Sequence, residues 1–426
     1  MKTFHYLLAT LLSAFALTSS AQKLAGGDVS LLPSYEEKGA QYFDHYGNAI
    51  PSLLPFLKEQ GWNAMRVRLF VDPANATEEE KRQGVVQDIA YVKPLAKRIK
   101  DEGFKLILDF HYSDTWADPA KQWTPADWLS TDDSNLGNQL YEYTKDALQQ
   151  LKDAGATPDY IQTGNEISFG MLWGARGTQD NRCYTNSPAA NWTRFTTLLR
   201  QATKACREVC PDAKVILHSE RSCDPTVLLD FMSRMQKAGV DYDVLGLSYY
   251  PYFHGSLTTL SSTLSQVENS YSEKKIMIVE TGYPAHWAIS GSTYDFSSTY
   301  PYTDEGQKNF TDDLIATLNR HANVTGLFWW WPEANEYGID WQNAVTSGWY
   351  NSTLFDNQTG RAYSSLSELK NFVGDPTAIH SATTATRGAG NNCCYDLSGR
   401  AVGQQPNCLY IRGGKKVTIH FRPPFL

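Results

Sequence analysis

The chain has 426 residues, 42% of them hydrophobic, and a formal net charge of −8. That is enough apolar material for a large core, and one α/β barrel alone can take up more than about 250 residues, so length does not demand two domains. The acidic balance and the lack of a basic stripe argue against nucleic acid as a partner, and no mature segment is apolar for long enough to span a bilayer.

The first residues read as an export signal. Lys2 gives positive charge, residues 6–17 form a short apolar run, and Thr18-Ser19-Ser20-Ala21 offers a small-residue cleavage site. An exported protein, periplasmic or secreted to the cell surface, is expected. Residues 1–21 are assigned to the signal peptide, 22–375 to a catalytic barrel, 376–392 to a linker and 393–426 to a tail.

Gly26-Gly27-Asp28-Val29 ends a first strand, and residues 52–61 read as a helix stopped by Gly61. Residues 63–70 are strand-like, with Arg66 and Arg68 on one face by period-two alternation. Arginine inside a barrel is costly unless paired, so a carboxylate partner is implied. Helical spacing over 87–102 leads to a strand at 104–111 that carries His111 near its end. The alternation continues with helices at 136–153, 191–208, 226–237, 257–271 and 304–321. They alternate with strand-like runs starting at Tyr160, Lys214, Asp243, Lys275 and Val324. Eight strand-like segments separated by helices over roughly 350 residues predict an α/β fold, a (β/α)8 TIM barrel, and not an open sheet.

Past Asp375 the composition shifts to Thr, Ala, Gly and Asn, the signature of a linker. Residues 395–400 and 409–417 then read as short strands, a β-rich tail too small for an independent core. The chain has seven cysteines, and in an exported protein some should form disulfides. Cys183 and Cys223 fall after neighbouring strands and are the expected pair; no cysteine spacing suits zinc.

Two strands matter most for chemistry. Tyr160-Ile161-Gln162-Thr163-Gly164-Asn165-Glu166 and Lys275-Ile276-Met277-Ile278-Val279-Glu280 each deliver a glutamate at the end of a buried-looking run. In a parallel barrel that is where catalytic groups are placed. Two carboxylates on rigid strands suit glycosidic bond hydrolysis: one acid protonates the leaving oxygen, and one carboxylate attacks or activates water. Alone, either glutamate could be an exposed strand end; together they point to a site. Glu280 would need to stay ionised, its pKa lowered by an arginine and a tyrosine hydroxyl, while Glu166 would need to stay protonated. Asn165, Arg68, His111, Tyr249 or Tyr250, and Trp330 come from different strands but converge on the same end. Each also has a structural reading, as a hydrogen-bonded histidine, a barrel-mouth ion pair or a packed indole. Twelve Trp and 24 Tyr exceed what a core needs, and aromatic faces suit the apolar faces of sugar rings.

At these residues the chain resembles glycoside hydrolase family 53, the endo-β-1,4-galactanases, over about residues 25–373. The resemblance is carried by Gly27-Asp28-Val29-Ser30, by Asp109-Phe110-His111-Tyr112-Ser113-Asp114-Thr115-Trp116-Ala117-Asp118-Pro119 and by Gly164-Asn165-Glu166-Ile167. Gly170-Met171-Leu172-Trp173, Gly246-Leu247-Ser248-Tyr249-Tyr250-Pro251 and Val279-Glu280-Thr281-Gly282-Tyr283-Pro284 extend it. It implies a retaining endo-hydrolase of β-1,4-galactan with Glu166 as acid/base and Glu280 as nucleophile. It further implies an inner shell of Asn165, Arg68, His111, Tyr249 and Trp330, and a groove lined by Trp173, Asp114, Trp116 and Asp118.

Three stretches depart from the family pattern: Phe70-Val71-Asp72-Pro73, Ser219-Glu220-Arg221-Ser222 and Trp330-Trp331-Pro332. Some members bind calcium after strand seven, but residues 281–303 are poor in carboxylates, so neither metal nor cofactor is expected. The expected partner is the polysaccharide alone, bound by a monomer. The rival readings are a barrel hydrolase acting on mannan, xylan or β-glucan, and a glycan-binding protein without turnover. The tail resembles a bacterial C-terminal sorting signal through Asp396-Leu397-Ser398-Gly399-Arg400 and residues 409–417.

Overall fold

A computed structural model of the chain describes residues 22–346, 350–374 and four short tail strands. The expected signal peptide and linker lie outside the described residues. Eight parallel strands close into a barrel: β1 (Leu24–Asp28), β2 (Ala64–Leu69), β3 (Lys105–Phe110), β4 (Tyr160–Thr163), β5 (Lys214–Ser219), β6 (Val244–Tyr249), β7 (Lys275–Thr281) and β8 (Val324–Trp329). Every pairing is sequential, and β8 returns to β1. The chain is a (β/α)8 barrel, as its alternation predicts.

The outer helices include α1 (Leu53–Glu59), α2 (Ile89–Asp101), α3 (Asp133–Asp153), α4 (Ala189–Val209), α5 (Pro225–Lys237), α6 (Leu257–Ser270) and α7 (Asp304–Leu318). Helix α2 shows why they form. The Asp88 carboxylate accepts the Tyr91 N–H at its start, worth about 1 kcal/mol in a typical cap. Val92, Leu95, Ala96 and Ile99 then fall on one buried stripe. Among the described residues no helix is long and apolar enough to cross a membrane.

Period-two alternation divides the strands into two cores. Met65, Val67, Leu69, Leu106, Leu108, Ile161, Leu217 and Leu245 face the helices. Leu24, Ala64, Ile107, Ile216, Val244, Met277 and Phe328 face inward and plug the barrel. One step further along the same inward faces, the side chains turn polar: Asp28, Arg66, Asp109, Gln162 and His218, all buried. The apolar plug is thus the floor on which a charged layer rests. Strand β1 fits only because it lacks side chains at the seam. A Cβ on Gly26 would stand 1.8 Å from the Ala64 carbonyl oxygen of β2.

The chain divides into two compact units, Met1–Asp375 and Pro376–Leu426. In the second, strands Cys394–Tyr395, Ala401–Val402, Leu409–Arg412 and Lys415–Thr418 form an antiparallel sheet, with the two longest strands paired along their length.

Candidate active site

The charged layer is organised by Arg66. Its guanidinium meets Asp28 (3.1 Å), Asp109 (2.8 Å) and Glu280 (3.0 Å) and donates to Asn165 Oδ1 (2.9 Å). Asp28 also holds Arg68 (2.8 Å), which supplies the carboxylate that two inward arginines require. Glu280 reaches this layer through an irregularity. The β6–β7 register pairs Leu247 with Ile278 and then Ser248 with Glu280, so one residue of β7 is skipped. Such a bulge re-aims the following side chain. Without it, Glu280 would share the outward face of Ile276 and Ile278.

The Tyr250 hydroxyl donates to Glu280 Oε2 at 3.2 Å. Burial is the largest influence on Glu280 and lifts its pKa to about 7; Arg66 opposes it. The lowering expected from arginine and tyrosine is therefore present but outweighed. Glu166 is lifted well above the ordinary carboxyl range by burial first, then by the charges of Glu280 and Glu220. Arg66 contacts Glu280 and not Glu166, so a single proton shared by the pair resides on Glu166.

Glu166 stands on a strained turn. Strand β4 ends at Thr163, Gly164 turns at φ +94°, and Glu166 itself is left-handed at φ 48°, ψ 52°. A Cβ on Gly164 would meet the Ile167 side chain at 2.6 Å, so the turn needs glycine. Ser248 Oγ lies 2.6 Å from Glu166 Oε1 and 2.9 Å from His218 Nε2. His218 Nδ1 in turn lies 2.9 Å from Asn165 Oδ1 and 3.3 Å from the Glu166 N–H. Burial, then Arg66, holds His218 neutral by depressing its pKa far below the usual range. A neutral ring has one N–H, and this chain can run either way. With Glu166 ionised, Ser248 donates to it and accepts from Nε2–H. With Glu166 protonated, the acid donates to Ser248, which donates to Nε2, and Nδ1–H faces Asn165. Both charge states of Glu166 thus find partners.

Glu166 and Glu280 open on one groove of about 530 Å3. Of the residues anticipated from sequence, Asn165, Trp116, Asp118 and Trp330 also line it. The structure places the others elsewhere. Arg68 lies behind the groove, between the rings of Trp116, Trp330 and Trp331 at 4.7–5.1 Å; Arg66, not Arg68, meets Glu280. His111 lies beneath it, accepting the Ala117 N–H at Nδ1 (3.0 Å) and facing Asp109 (3.1 Å). Tyr249 points outward with its strand face and donates to the Gly255 carbonyl (2.9 Å), which leaves Tyr250 to enter the groove. Trp173 is fully buried, donating to the Phe169 carbonyl. Asp114 accepts from the Asp72 and Ala126 backbone and from Asn75 and is a loop brace.

Sequence reasoning placed Arg66 inward with an implied carboxylate partner but gave it no role at the site, and it passed over Gln162, His218 and Ser248. Their signal was the inward parity that puts Arg66 and Arg68 on one face, applied to β4, β5 and β6. The expected Cys183–Cys223 disulfide is also corrected: both are free thiols. Cys183 Sγ is turned into its own loop, 3.7 Å from the Asn181 carbonyl, and packs under Gly170.

A parallel barrel that delivers carboxyls from its fourth and seventh strands into one groove has the constellation of two-carboxylate glycosidases. Residues 24–369 match the glycosyl hydrolase family 53 model, and the chain belongs to that family. It is 33% identical over 355 residues to the arabinogalactan endo-β-1,4-galactanase of Thermothelomyces thermophilus, covering 80% of this chain and 97% of that one. Among solved structures it is similar to the "GH53 catalytic domain" of Ignisphaera aggregans, with TM-score 0.71, 32% identity and coverage of 83% and 97%. A structure from a study of two fungal β-1,4-galactanases gives TM-score 0.67, 31% identity and coverage of 82% and 99%.

Proposed function

We propose that the chain is an endo-acting, retaining glycoside hydrolase that cleaves β-1,4-galactosidic bonds in the galactan side chains of pectin. The observation that carries this is the division of labour in the groove: Arg66 contacts Glu280 alone of the two glutamates, and Ser248 contacts Glu166. In the proposed reaction the Glu280 carboxylate forms a bond to the anomeric carbon while the bond to the leaving oxygen breaks. Glu166 gives that oxygen its proton. Glu166, now ionised, takes a proton from water, which displaces Glu280 with a second inversion. The Ser248–His218 chain accommodates both of its charge states. Trp116 and Trp330 offer ring faces to the sugars. The galactan specificity rests on the family and on the galactanases to which the chain is similar.

The test is reducing-end release from β-1,4-galactan, with mannan, xylan and β-glucan in parallel, for wild type and Glu280→Ala. Galactan cleavage by wild type that drops on the order of 1000-fold or more in the variant is expected. Preferred cleavage of another polymer overturns the specificity. An inverted anomer in the first product, read by proton NMR, overturns retention. Export and a sorting role for the tail complete the proposal.

A further inference from the structure

The groove is asymmetric across the catalytic pair. On the Glu280 side, Trp330 donates its backbone N–H to Thr281 and carries the groove onto the tryptophan cluster. On the Glu166 side, beyond β5, lies a polar group of a different kind: Glu220, Arg221 and His254, with Phe253 beside them. Glu220 is 6% exposed. Its Oε1 accepts from Ser168 Oγ and faces Arg221 Nε at 2.8 Å. Its Oε2 is buried without any hydrogen-bond partner. The Arg221 guanidinium lies over the Phe169 ring at 4.3 Å and, among the described residues, has no carboxylate but Glu220. His254 Nδ1 accepts the Tyr250 N–H at 3.0 Å, which puts the proton of the neutral ring on Nε2.

A purely structural ion pair would satisfy both oxygens of its carboxylate, because leaving one buried and unpaired costs free energy. Here Glu220 Oε2 is left without a partner, and the Arg221 guanidinium and the Nε2–H of His254 are donors on residues that line the groove, beside Phe253. That set matches a sugar face with adjacent hydroxyls, which both donate and accept. The position decides which sugar. Glu280, which would take the attacked unit, and Glu166, which would protonate the leaving oxygen, share the groove, and Glu220 is close enough to act on the charge of Glu166, so the leaving unit is assigned to the side of Glu220, Arg221 and His254.

We propose that Glu220, Arg221 and His254 form a subsite that binds the leaving-side hexopyranose through neighbouring hydroxyls and so sets which bonds in the polymer are cut. This rests on the galactanase reading above.

The test compares two substrates that share the attacked unit but differ in what leaves: a β-1,4-galacto-oligosaccharide, and an aryl β-galactobioside whose phenol has no hydroxyls to bind. The variants are Arg221→Ala, Glu220→Gln and the conservative Arg221→Lys. The readout is the ratio of kcat/KM for the two substrates, which does not depend on the fraction of folded enzyme. We expect Arg221→Ala and Glu220→Gln to lower the ratio about 10- to 100-fold, as for loss of a charged hydrogen bond, and Arg221→Lys to restore part of it. Equal losses on both substrates would mean that these residues act through folding, and a selective loss that disappears at a pH low enough to keep Glu166 protonated would mean that they act through its proton; either would overturn the subsite. So would a ratio unchanged from wild type. Wild type that cleaves no galactan overturns the galactanase reading and the subsite with it; wild-type cleavage without a selective loss overturns the subsite alone.

Discussion

Ser248 carries no charge, yet the pH range of the reaction depends on it. Its hydroxyl stabilises the ionised form of Glu166 and lowers a pKa that burial and the carboxylates of Glu280, Glu220 and Asp118 push up. Removing the hydroxyl must raise that pKa further. The alkaline limb of kcat/KM should therefore move to higher pH in Ser248→Ala, while kcat falls because the second step loses a partner for the ionised acid. A limb that stays put or moves down would show that the 2.6 Å contact does not govern the proton. Glu333 poses the opposite problem. It is fully buried, accepts the Leu31 N–H at Oε1 (2.8 Å), and leaves Oε2 unpartnered. Burial first, then Asp28, lifts its pKa to about 8. A folded value above the unfolded one means that the stabilising contribution is full at low pH and is lost as pH rises to about 8. Glu333→Gln keeps the acceptor for Leu31 and cannot ionise. It should gain on the order of 1–3 kcal/mol over wild type at pH 8 and little near pH 4–5, measured by urea unfolding at both.

At the scale of single elements, strand parity decides what the sequence reveals. The inward pair Arg66 and Arg68 was legible because β2 is regular over its whole length, and so was the need for a carboxylate. Which arginine meets Glu280 was not legible. That depends on how deep each sits, and parity does not measure depth. Tyr249 was misplaced for a related reason: the last residue of β6 keeps the outward parity, and the chain turns only at Tyr250. Glu280 was found by its position at a strand end, although its inward aim comes from a bulge that no residue pattern announces. The close seam of β1 gives an element-scale test. Gly26→Ala would force the added carbon into a backbone carbonyl of β2, and neither strand can move without disturbing the polar layer above. A loss of at least about 3 kcal/mol is expected, read as a lower melting temperature. Gly39, with a positive φ but nothing within 4 Å of an added carbon, should show a much smaller effect when changed to alanine.

For the molecule as a whole, catalysis and core both belong to the unit that ends at Asp375. A chain truncated after Asp375 should keep the melting temperature and galactan kcat/KM of the full chain within error, and differ from it only in where the cell delivers it. A large loss of either would mean that the tail supports the barrel.

Four thiols, Cys183, Cys206, Cys210 and Cys223, are unpaired in a protein proposed to work outside the reducing cytoplasm. Burial suppresses their ionisation, to about pKa 12 for Cys183 and Cys223 and about 11 for Cys210. In the folded barrel Cys183, Cys206 and Cys210 are buried and should react slowly with alkylating reagents, while an opened barrel exposes ordinary cysteines. The thiols act as a clock for opening: the rate of iodoacetamide uptake reads how often the native state is left. They also set a race after export, because a chain that folds more slowly than its cysteines oxidise would be trapped in bonds that the native barrel does not contain.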